Sequence, residues 1–179
     1  MHRQTAAAQR THYRIRPARA DAGRLAEMAR SIARAVPLWR RLVQHDPERR
    51  GFVRLYRTPE VEAWILTWTA QQAIELHDHG GSAGAVVVVE GELVESFTDL
   101  VTRAPLRQLC WPTGTAHLFD GTHVHDLHNC AAQPATSIHV YSPPLTSMTF
   151  YDHRPEQFLH PLRVEAADAD GARAHAPAF

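Results

Sequence analysis

Residues 77–91 read HDHGGSAGAVVVVEG, in which two histidines precede a glycine-rich stretch and an apolar run. On a β-strand, residues two apart project from the same face, so the imidazoles of His77 and His79 would lie side by side while Asp78 points the other way. Such a pair can bind one metal ion from one side. Because a His-x-His pair also occurs by chance on surface strands, its surroundings must decide between the two interpretations.

The sequence around this stretch predicts a mainly β protein. After Gly51, short β-like runs recur, separated by Gly, Pro and Asp, and each has the length of a strand. The runs include 61–68, 85–89, 93–97, 123–129 and 136–141. Gly91 predicts a tight hairpin turn between two of them, and Pro112 with Gly114 predicts another turn. The spacing indicates a small antiparallel barrel.

One or two helices are predicted before the strands. Asp21 can cap a helix in which apolar residues recur at three- and four-residue spacing until Pro37, and a short helical piece over 38–43 can follow. Residues 1–20 and 166–179 lack apolar periodicity and are predicted to be flexible. We therefore expect one domain over 21–165.

Composition excludes several classes of function. The 19 basic and 19 acidic side chains cancel, so no sequence-wide field would attract nucleic acid or an anionic membrane. No apolar run approaches the 18 residues of a membrane span, and the arginine-rich start has no apolar signal segment after it. We expect a cytoplasmic protein without nucleic-acid or membrane partners, and a monomer, although the sequence does not define the oligomeric state. Cys110 and Cys130 are predicted to be buried, reduced thiols.

The 77–91 stretch resembles the first cupin motif, in which His-x-His is followed after four residues by a Glu position and then, after six more, by Gly. Gly84 stands at the Glu position, and Gly91 follows at the expected distance. If a third histidine joins this pair, three imidazoles would leave coordination positions of the metal open for chemistry. The ligand type alone does not distinguish Zn, Cu, Fe and Ni.

The second cupin motif, Pro-x-Gly followed by His and four residues later by Asn, is similar to Pro112-Thr113-Gly114 with His125 and Asn129. His117 fits the distance from the proline better, but residue 121 is Gly rather than Asn. We predict His125 as the third ligand and keep His117 as the alternative.

Over about residues 50–152 the chain resembles the bacterial members of the cysteine dioxygenase family. The resemblance rests on LHDHGGSAG at 76–84, on His125-x-x-x-Asn129 and on SIHVYSPPL at 137–145. It implies a jelly-roll-like cupin barrel that holds one Fe(II) through His77, His79 and His125.

The resemblance also implies roles for Ser137, His139 and Tyr141, whose alternate spacing puts them on one strand face. In the family this set lines the iron site, with the tyrosine hydroxyl near substrate and O₂. The alternative without a function is that His139 is an interior histidine and Tyr141 an ordinary core tyrosine. The Ser142–Pro143 bond that follows can be cis in the family, and the sequence leaves its isomer open.

A substrate carboxylate is bound in the family by an arginine on an early strand, for which Arg54 is the predicted counterpart and Arg57 the alternative. Phe52 stands where a second, tyrosine contact to the carboxylate would be. Gly84 stands where mammalian enzymes carry a cysteine crosslinked to the tyrosine, so no Cys-Tyr crosslink is expected.

The activity that the resemblance implies is conversion of L-cysteine and O₂ into cysteine sulfinate. Another small thiol such as 3-mercaptopropionate is the nearest alternative substrate. A non-catalytic cupin that binds or senses a ligand is an alternative of a different class, because fold does not fix function. A zinc-dependent isomerase or hydrolase is disfavoured by the missing glutamate and by the Ser-His-Tyr set.

Overall fold

The structure is a computed structural model that describes residues 21–102, 104–154 and 158–167. The predicted flexible segments fall outside these residues, except for Ala166 and Ala167 at the start of the predicted C-terminal tail. Ala166 is instead the final residue of the last strand.

Two helices precede eleven strands. The helices are α1 (Ala22–Arg34) and α2 (Val36–Trp39), and a 3₁₀ turn (Arg40–Leu42) follows them. The strands are β1 (Gly51–Arg57), β2 (Glu62–Trp68), β3 (Ala73–His77), β4 (Ala83–Glu90), β5 (Glu92–Asp99), β6 (Arg107–Pro112), β7 (Ala116–Phe119), β8 (His123–His128), β9 (Ala135–Ser142), β10 (Ser147–Asp152) and β11 (His160–Ala166).

The predicted first helix is confirmed. The Asp21 side chain accepts a hydrogen bond from the backbone N–H of Gly23 at 3.2 Å, and so satisfies one of the free donors at the helix start. Pro37 lies in the first turn of α2, where its missing N–H costs nothing. Leu25 and Ala29 bury the apolar face of α1.

The strands form two antiparallel sheets. The first, which we call the five-stranded sheet, has the order β1-β2-β9-β4-β7, and the six-stranded sheet has the order β11-β10-β3-β8-β5-β6. The predicted mainly β, antiparallel, jelly-roll-like fold is confirmed. Within the described residues, strand pairing does not join the two sheets into one closed barrel.

Gly91 marks a corner rather than the hairpin turn that we predicted. It has a φ of 70° and is the single residue between β4 and β5. Both edges of β4 are already paired, with β9 and β7, so β5 cannot pair beside it and enters the six-stranded sheet. The turn predicted at Pro112 and Gly114 is confirmed between β6 and β7, where Gly114 has a φ of 89°.

The central strands β9 and β4 of the five-stranded sheet are largely buried on both faces, which explains their continuous apolar runs. Val86 and Val88 contribute to the core between the sheets, whereas Ala85 and Val87 pack under α1. Every residue of β9 is buried. Ala135 and Tyr141 belong to the core between the sheets, so the odd-numbered positions of β9 point into this space, where the candidate site lies.

The cysteine prediction was wrong in one respect, since Cys110 and Cys130 are free but exposed. Cys110 lies on β6, an edge strand of which four residues in succession are exposed. No helix within the described ranges is long and apolar enough to cross a membrane.

Candidate metal centre

His77, His79 and His125 form a buried cluster in which one ring nitrogen from each lies within 4.8 Å of the others. His77 ends β3 and pairs in register with His125 of β8, while His79 follows two residues later. The ring centroids are 4.9–5.0 Å apart. The six-stranded sheet and the loop after β3 thus bring the three predicted ligands together.

Two of the rings have their Nδ1 atoms engaged. His77 Nδ1 is 2.7 Å from the backbone oxygen of Glu75, and His125 Nδ1 is 2.7 Å from Oε1 of Glu95. Because both partners are acceptors, each Nδ1 carries the proton and each Nε2 keeps its lone pair. This is the tautomer that ligates a metal through Nε2.

His79 gives the clearest indication that the cluster fits a metal. Both of its ring nitrogens are buried and have no hydrogen-bond partner among the described residues. An unpaired buried imidazole nitrogen is costly, and a metal bond would satisfy one of the two. Burial lowers the pKa of all three histidines, to about 4 for His77, so the rings are neutral at pH 7 as ligation requires.

Asp78 points away from the cluster, as the strand pattern predicted, and fixes the loop that carries His79. Its Oδ1 accepts from the backbone N–H groups of Gly80 and Thr149 at 2.9 and 3.1 Å. Its Oδ2 accepts from the Tyr151 hydroxyl at 2.7 Å. These bonds attach the histidine pair to β10.

Glu95 is a buried carboxylate beside the cluster that the sequence analysis did not identify. Its Oε1 accepts from His125 and, at 2.8 Å, from Nε2 of His123, which lies on the same face of β8. The signal was present in the sequence, because Glu95 stands between Leu93 and Phe97 at an inward-facing position of a strand.

His117, the alternative third ligand, lies outside the cluster. It is on β7, where its ring stacks on Trp111 with centroids 4.0 Å apart. The shorter distance from Pro112 was misleading because β7 belongs to the five-stranded sheet, whereas β3 and β8 are neighbours in the other sheet.

Ser137, His139 and Tyr141 form a buried hydrogen-bonded chain on β9. Ser137 Oγ is 2.9 Å from His139 Nε2, and His139 Nδ1 is 3.0 Å from the Tyr141 hydroxyl. Trp68 Nε1 donates to Ser137 Oγ at 2.9 Å, a contact that the sequence analysis missed. Trp68 donates to Ser137 in either of two proton assignments: Ser137 donates to His139 and His139 to the tyrosine oxygen, or the Tyr141 hydroxyl donates to His139 and His139 to Ser137. In the first assignment the Tyr141 proton is available to a group outside the chain.

Burial keeps the hydrogen-bonded chain on β9 uncharged. Burial lowers the pKa of His139 to about 3, and the charge of Arg50 and the nearby His77 ring add to the effect. Burial raises the pKa of Tyr141 well above its usual value, and Glu62 adds to this. Tyr141 is therefore a neutral hydrogen-bond donor, and its ring centroid lies 5.3 Å from that of His79.

Gly84 lies directly opposite Tyr141 in the pairing of β4 with β9. A Cβ at position 84 would be 2.3 Å from Cζ of Phe119 and 3.0 Å from the backbone oxygen of Val140. Phe119 fills this space and stacks on His79 with centroids 4.6 Å apart. Position 84 consequently has no room for a side chain unless Phe119 moves.

The structure places Arg50, which was not among the predicted residues, within electrostatic reach of the cluster. Arg50 directly precedes β1, and its Cζ lies 4.7 Å from the Trp68 ring centroid. Its Nε and Nη1 are buried and have no hydrogen-bond partner among the described residues. Its charge contributes to the lowered pKa of His77, and burial lowers its own pKa to about 10.

Both predicted arginines make contacts with residues of β2. Arg54 is half-buried on β1, with its Cζ 5.4 Å from the Trp64 ring centroid. Arg57, the alternative, pairs with the buried carboxylate of Glu62 at 2.9 Å. Residues two apart on a strand project from the same face, so residues 50, 52 and 54 share one. The strand pattern alone therefore could not decide whether Arg50 or Arg54 lies near the cluster.

The Ser142–Pro143 peptide bond is cis. The Ser142 hydroxyl donates to the backbone oxygen of Glu60 at 2.8 Å.

Two facing antiparallel sheets with a buried three-histidine cluster between them define a cupin with a candidate metal centre. The chain belongs to the cysteine dioxygenase type I family, whose model matches residues 4–154. A curated cysteine dioxygenase type 1 from Danio rerio is 30% identical over 99 residues, which cover 50% of this chain and 49% of that protein. The chain thus matches about half the length of this relative.

Solved structures support the fold. The protein TT1209 from Thermus thermophilus has a TM-score of 0.51 at 22% identity, and the match covers 59% of this chain and 93% of that one. An uncharacterized protein with a double-stranded β-helix domain from Klebsiella pneumoniae has a TM-score of 0.51 at 15% identity, with 64% and 94% coverage. At these identities the likeness establishes the architecture alone.

Proposed function

We propose that this protein is an iron-dependent thiol dioxygenase that converts L-cysteine and O₂ into cysteine sulfinate. The observation that carries the proposal is the combination of a buried three-imidazole cluster with a neutral tyrosine and with an arginine, two of whose buried nitrogens have no partner among the described residues. Family membership supports both the reaction and the choice of iron. A location in the cytoplasm and a monomeric state remain predictions.

His77, His79 and His125 would hold the metal through Nε2 of His77 and His125 and through one nitrogen of His79. Three protein ligands leave coordination positions for a thiolate and a second substrate atom. When bound, Fe(II) supplies the Lewis acidity that keeps a thiol ionised and the one-electron chemistry that O₂ requires.

Arg50 would bind the carboxylate of the substrate. A buried guanidinium with unpaired N–H groups is stabilised by an anion, and a carboxylate can accept two parallel hydrogen bonds from it. Lying over Trp68, the guanidinium is also held in place by a cation–π contact. The substrate is therefore expected to carry both a thiol and a carboxylate.

Tyr141 would donate a hydrogen bond to the oxygen or sulfur atoms that react. In the assignment that we propose, its oxygen accepts from His139, so its own proton is directed away from the hydrogen-bonded chain. A preorganised neutral donor stabilises negative charge that develops on oxygen without reorganising. In the net reaction both atoms of O₂ end on the cysteine sulfur, so no external reductant is needed.

The test is oxygen consumption by protein loaded anaerobically with Fe(II), with sulfinate identified as product. We expect uptake with cysteine and none for His125→Ala, which loses a ligand. Metal analysis of the purified protein distinguishes iron from zinc. Absence of uptake with cysteine by fully iron-loaded protein would contradict the proposed reaction.

The second candidate substrate is 3-mercaptopropionate, which carries the same thiol and carboxylate groups but no amine. Arg50 would bind its carboxylate as well as that of cysteine. A kcat/KM for 3-mercaptopropionate above that for cysteine would show that the amine is not needed. If neither thiol is oxidised but both bind, the site belongs to a ligand-binding cupin.

A further inference from the structure

Among the described residues, Glu95 is the carboxylate that directly contacts one of the three clustered histidines. It is 3% exposed, and one oxygen, Oε1, accepts hydrogen bonds from two histidines, His125 and His123. Buried carboxylates are rare unless they have such partners.

We propose that Glu95 is a positioning residue of the metal centre, and that His123 holds Glu95 in place. Glu95 fixes His125 in the tautomer whose Nε2 faces the other two histidines. Its negative charge also raises the basicity of that nitrogen through the shared proton. The inference rests on the proposed metal site and is independent of which reaction the site performs.

His123 is itself held rigidly, which makes it a suitable anchor. Its ring stacks on Phe119 with centroids 5.1 Å apart and planes inclined at 17°, and it packs against Phe97 at 5.6 Å. Its Nε2 then has one direction in which to donate, toward Glu95. The rotamer of Glu95 is thereby set from the side opposite to His125.

The contact distances argue for protons rather than a second metal between these groups. Glu95, His123 and His125 also form a possible ligand group by proximity. However, ligand atoms about 2.0–2.2 Å from a tetrahedral metal lie more than about 3 Å from one another. The contacts of 2.7 and 2.8 Å are instead the lengths of charge-assisted hydrogen bonds.

The carboxylate changes the charge of the centre. Three neutral imidazoles around a divalent ion would leave a charge of +2 in a buried site, and Glu95 reduces the total to +1 one hydrogen bond away from the metal. In metal sites of this kind, loss of a carboxylate partner of a ligating histidine costs about 10–100-fold in metal affinity.

The test measures Co(II) binding to the metal-free protein by competition with a chromophoric chelator. Glu95→Gln keeps the size of the side chain and removes its charge, and we expect affinity to fall about 10–100-fold. His123→Phe keeps the ring stacking and removes the bond to Glu95, and we expect a fall of about fivefold, the worth of one hydrogen bond. Glu92→Gln on the exposed side of β5 is the matched control and should bind as wild type.

A spectroscopic measurement separates positioning from a general structural effect. In the Co(II) protein, the Nδ1–H protons of His77 and His125 should give two hyperfine-shifted, solvent-exchangeable NMR resonances. Glu95→Gln should shift the His125 resonance and speed its exchange, while the His77 resonance, held by a backbone carbonyl, stays in place.

Wild-type Co(II) affinity in Glu95→Gln or in His123→Phe would overturn the proposal, as would lost affinity with both resonances unchanged. If Glu95→Gln does not fold, His123→Phe decides, because it leaves the carboxylate in place. No outcome depends on thiol oxidation, so failure of the proposed activity would be recognised separately.

Discussion

Replacing Arg50 by methionine should remove the preference of the protein for substrates that carry a carboxylate. The methionine can still cover Trp68 with an apolar chain of similar length but offers no charge and no N–H donor. We propose the guanidinium as the partner of an anion because two of its buried nitrogens have no partner within the part of the chain that the structure describes. The change therefore removes the proposed carboxylate contact together with the charge and the cation–π contact of Arg50.

The expected size follows from the hydrogen bonds that are lost. Hydrogen bonds to charged groups contribute about 1.5–3 kcal/mol, which corresponds to a loss of about 10- to 150-fold in kcat/KM for cysteine. Cysteamine, which has the thiol and amine but no carboxylate, should be oxidised equally well by both proteins, so the preference for cysteine should disappear. The variant should unfold at the same or a higher temperature, because a buried unpaired guanidinium destabilises the fold.

Arg54→Met is the matched control, since Arg54 lies on the same strand face but over Trp64. The assay is initial-rate oxygen uptake with each substrate for the three proteins, with iron content measured in each. A larger loss for Arg54→Met would refute the assignment and restore our original prediction. Equal losses with cysteine and cysteamine would show that Arg50 supports the site without contacting the carboxylate.

Three further predictions concern the interior between the sheets. Gly84→Ala should lower the free energy of unfolding in urea by about 1–3 kcal/mol because the added Cβ meets Phe119. The control Gly23→Ala, whose nearest contact is at 3.8 Å, should not lower it, and equal effects of the two changes would contradict this reasoning. Tyr141→Phe should keep wild-type Co(II) affinity and lose about 10²-fold in turnover, and wild-type turnover would exclude the hydroxyl as a donor. The buried His139 has a folded-state pKa of about 3, so the unfolded chain binds its proton first and the stability of the metal-free protein should fall as pH drops below about 6.5. The contribution is up to about 1.4 kcal/mol per pH unit, and urea midpoints at pH 7 and 5 should differ less in His139→Gln than in wild type.

Local patterns in the sequence sufficed to group the candidate metal ligands and the β9 residues. His77 with His79, and Ser137 with His139 and Tyr141, are each set by two-residue spacing, which a strand converts directly into a shared direction. The choice of His125 over His117 needed only the Asn at position 129. These features depend on one strand at a time.

The features that the sequence did not reveal depend on which strands are neighbours. Gly91 was predicted to close a hairpin because the occupied edges of β4 cannot be read from local sequence. Glu95 contacts His125 only because β5 pairs with β8. Arg50 and Arg54 share a strand face, so only the position of the strand relative to the cluster distinguishes them.

The candidate ligands and the candidate substrate contacts belong to different sheets. His77 and His125 are on strands of the six-stranded sheet, whereas Tyr141 is on a strand of the five-stranded sheet and Arg50 directly precedes its first strand. If the proposed function is correct, the affinity for the metal and the selectivity for the thiol substrate can therefore be altered independently. A library of inward-facing substitutions on β1, β2 and β9 could be screened for new thiol substrates without weakening metal retention. Amide exchange should in turn slow more in β3 and β8 than in β2 when the metal-free protein takes up its ion.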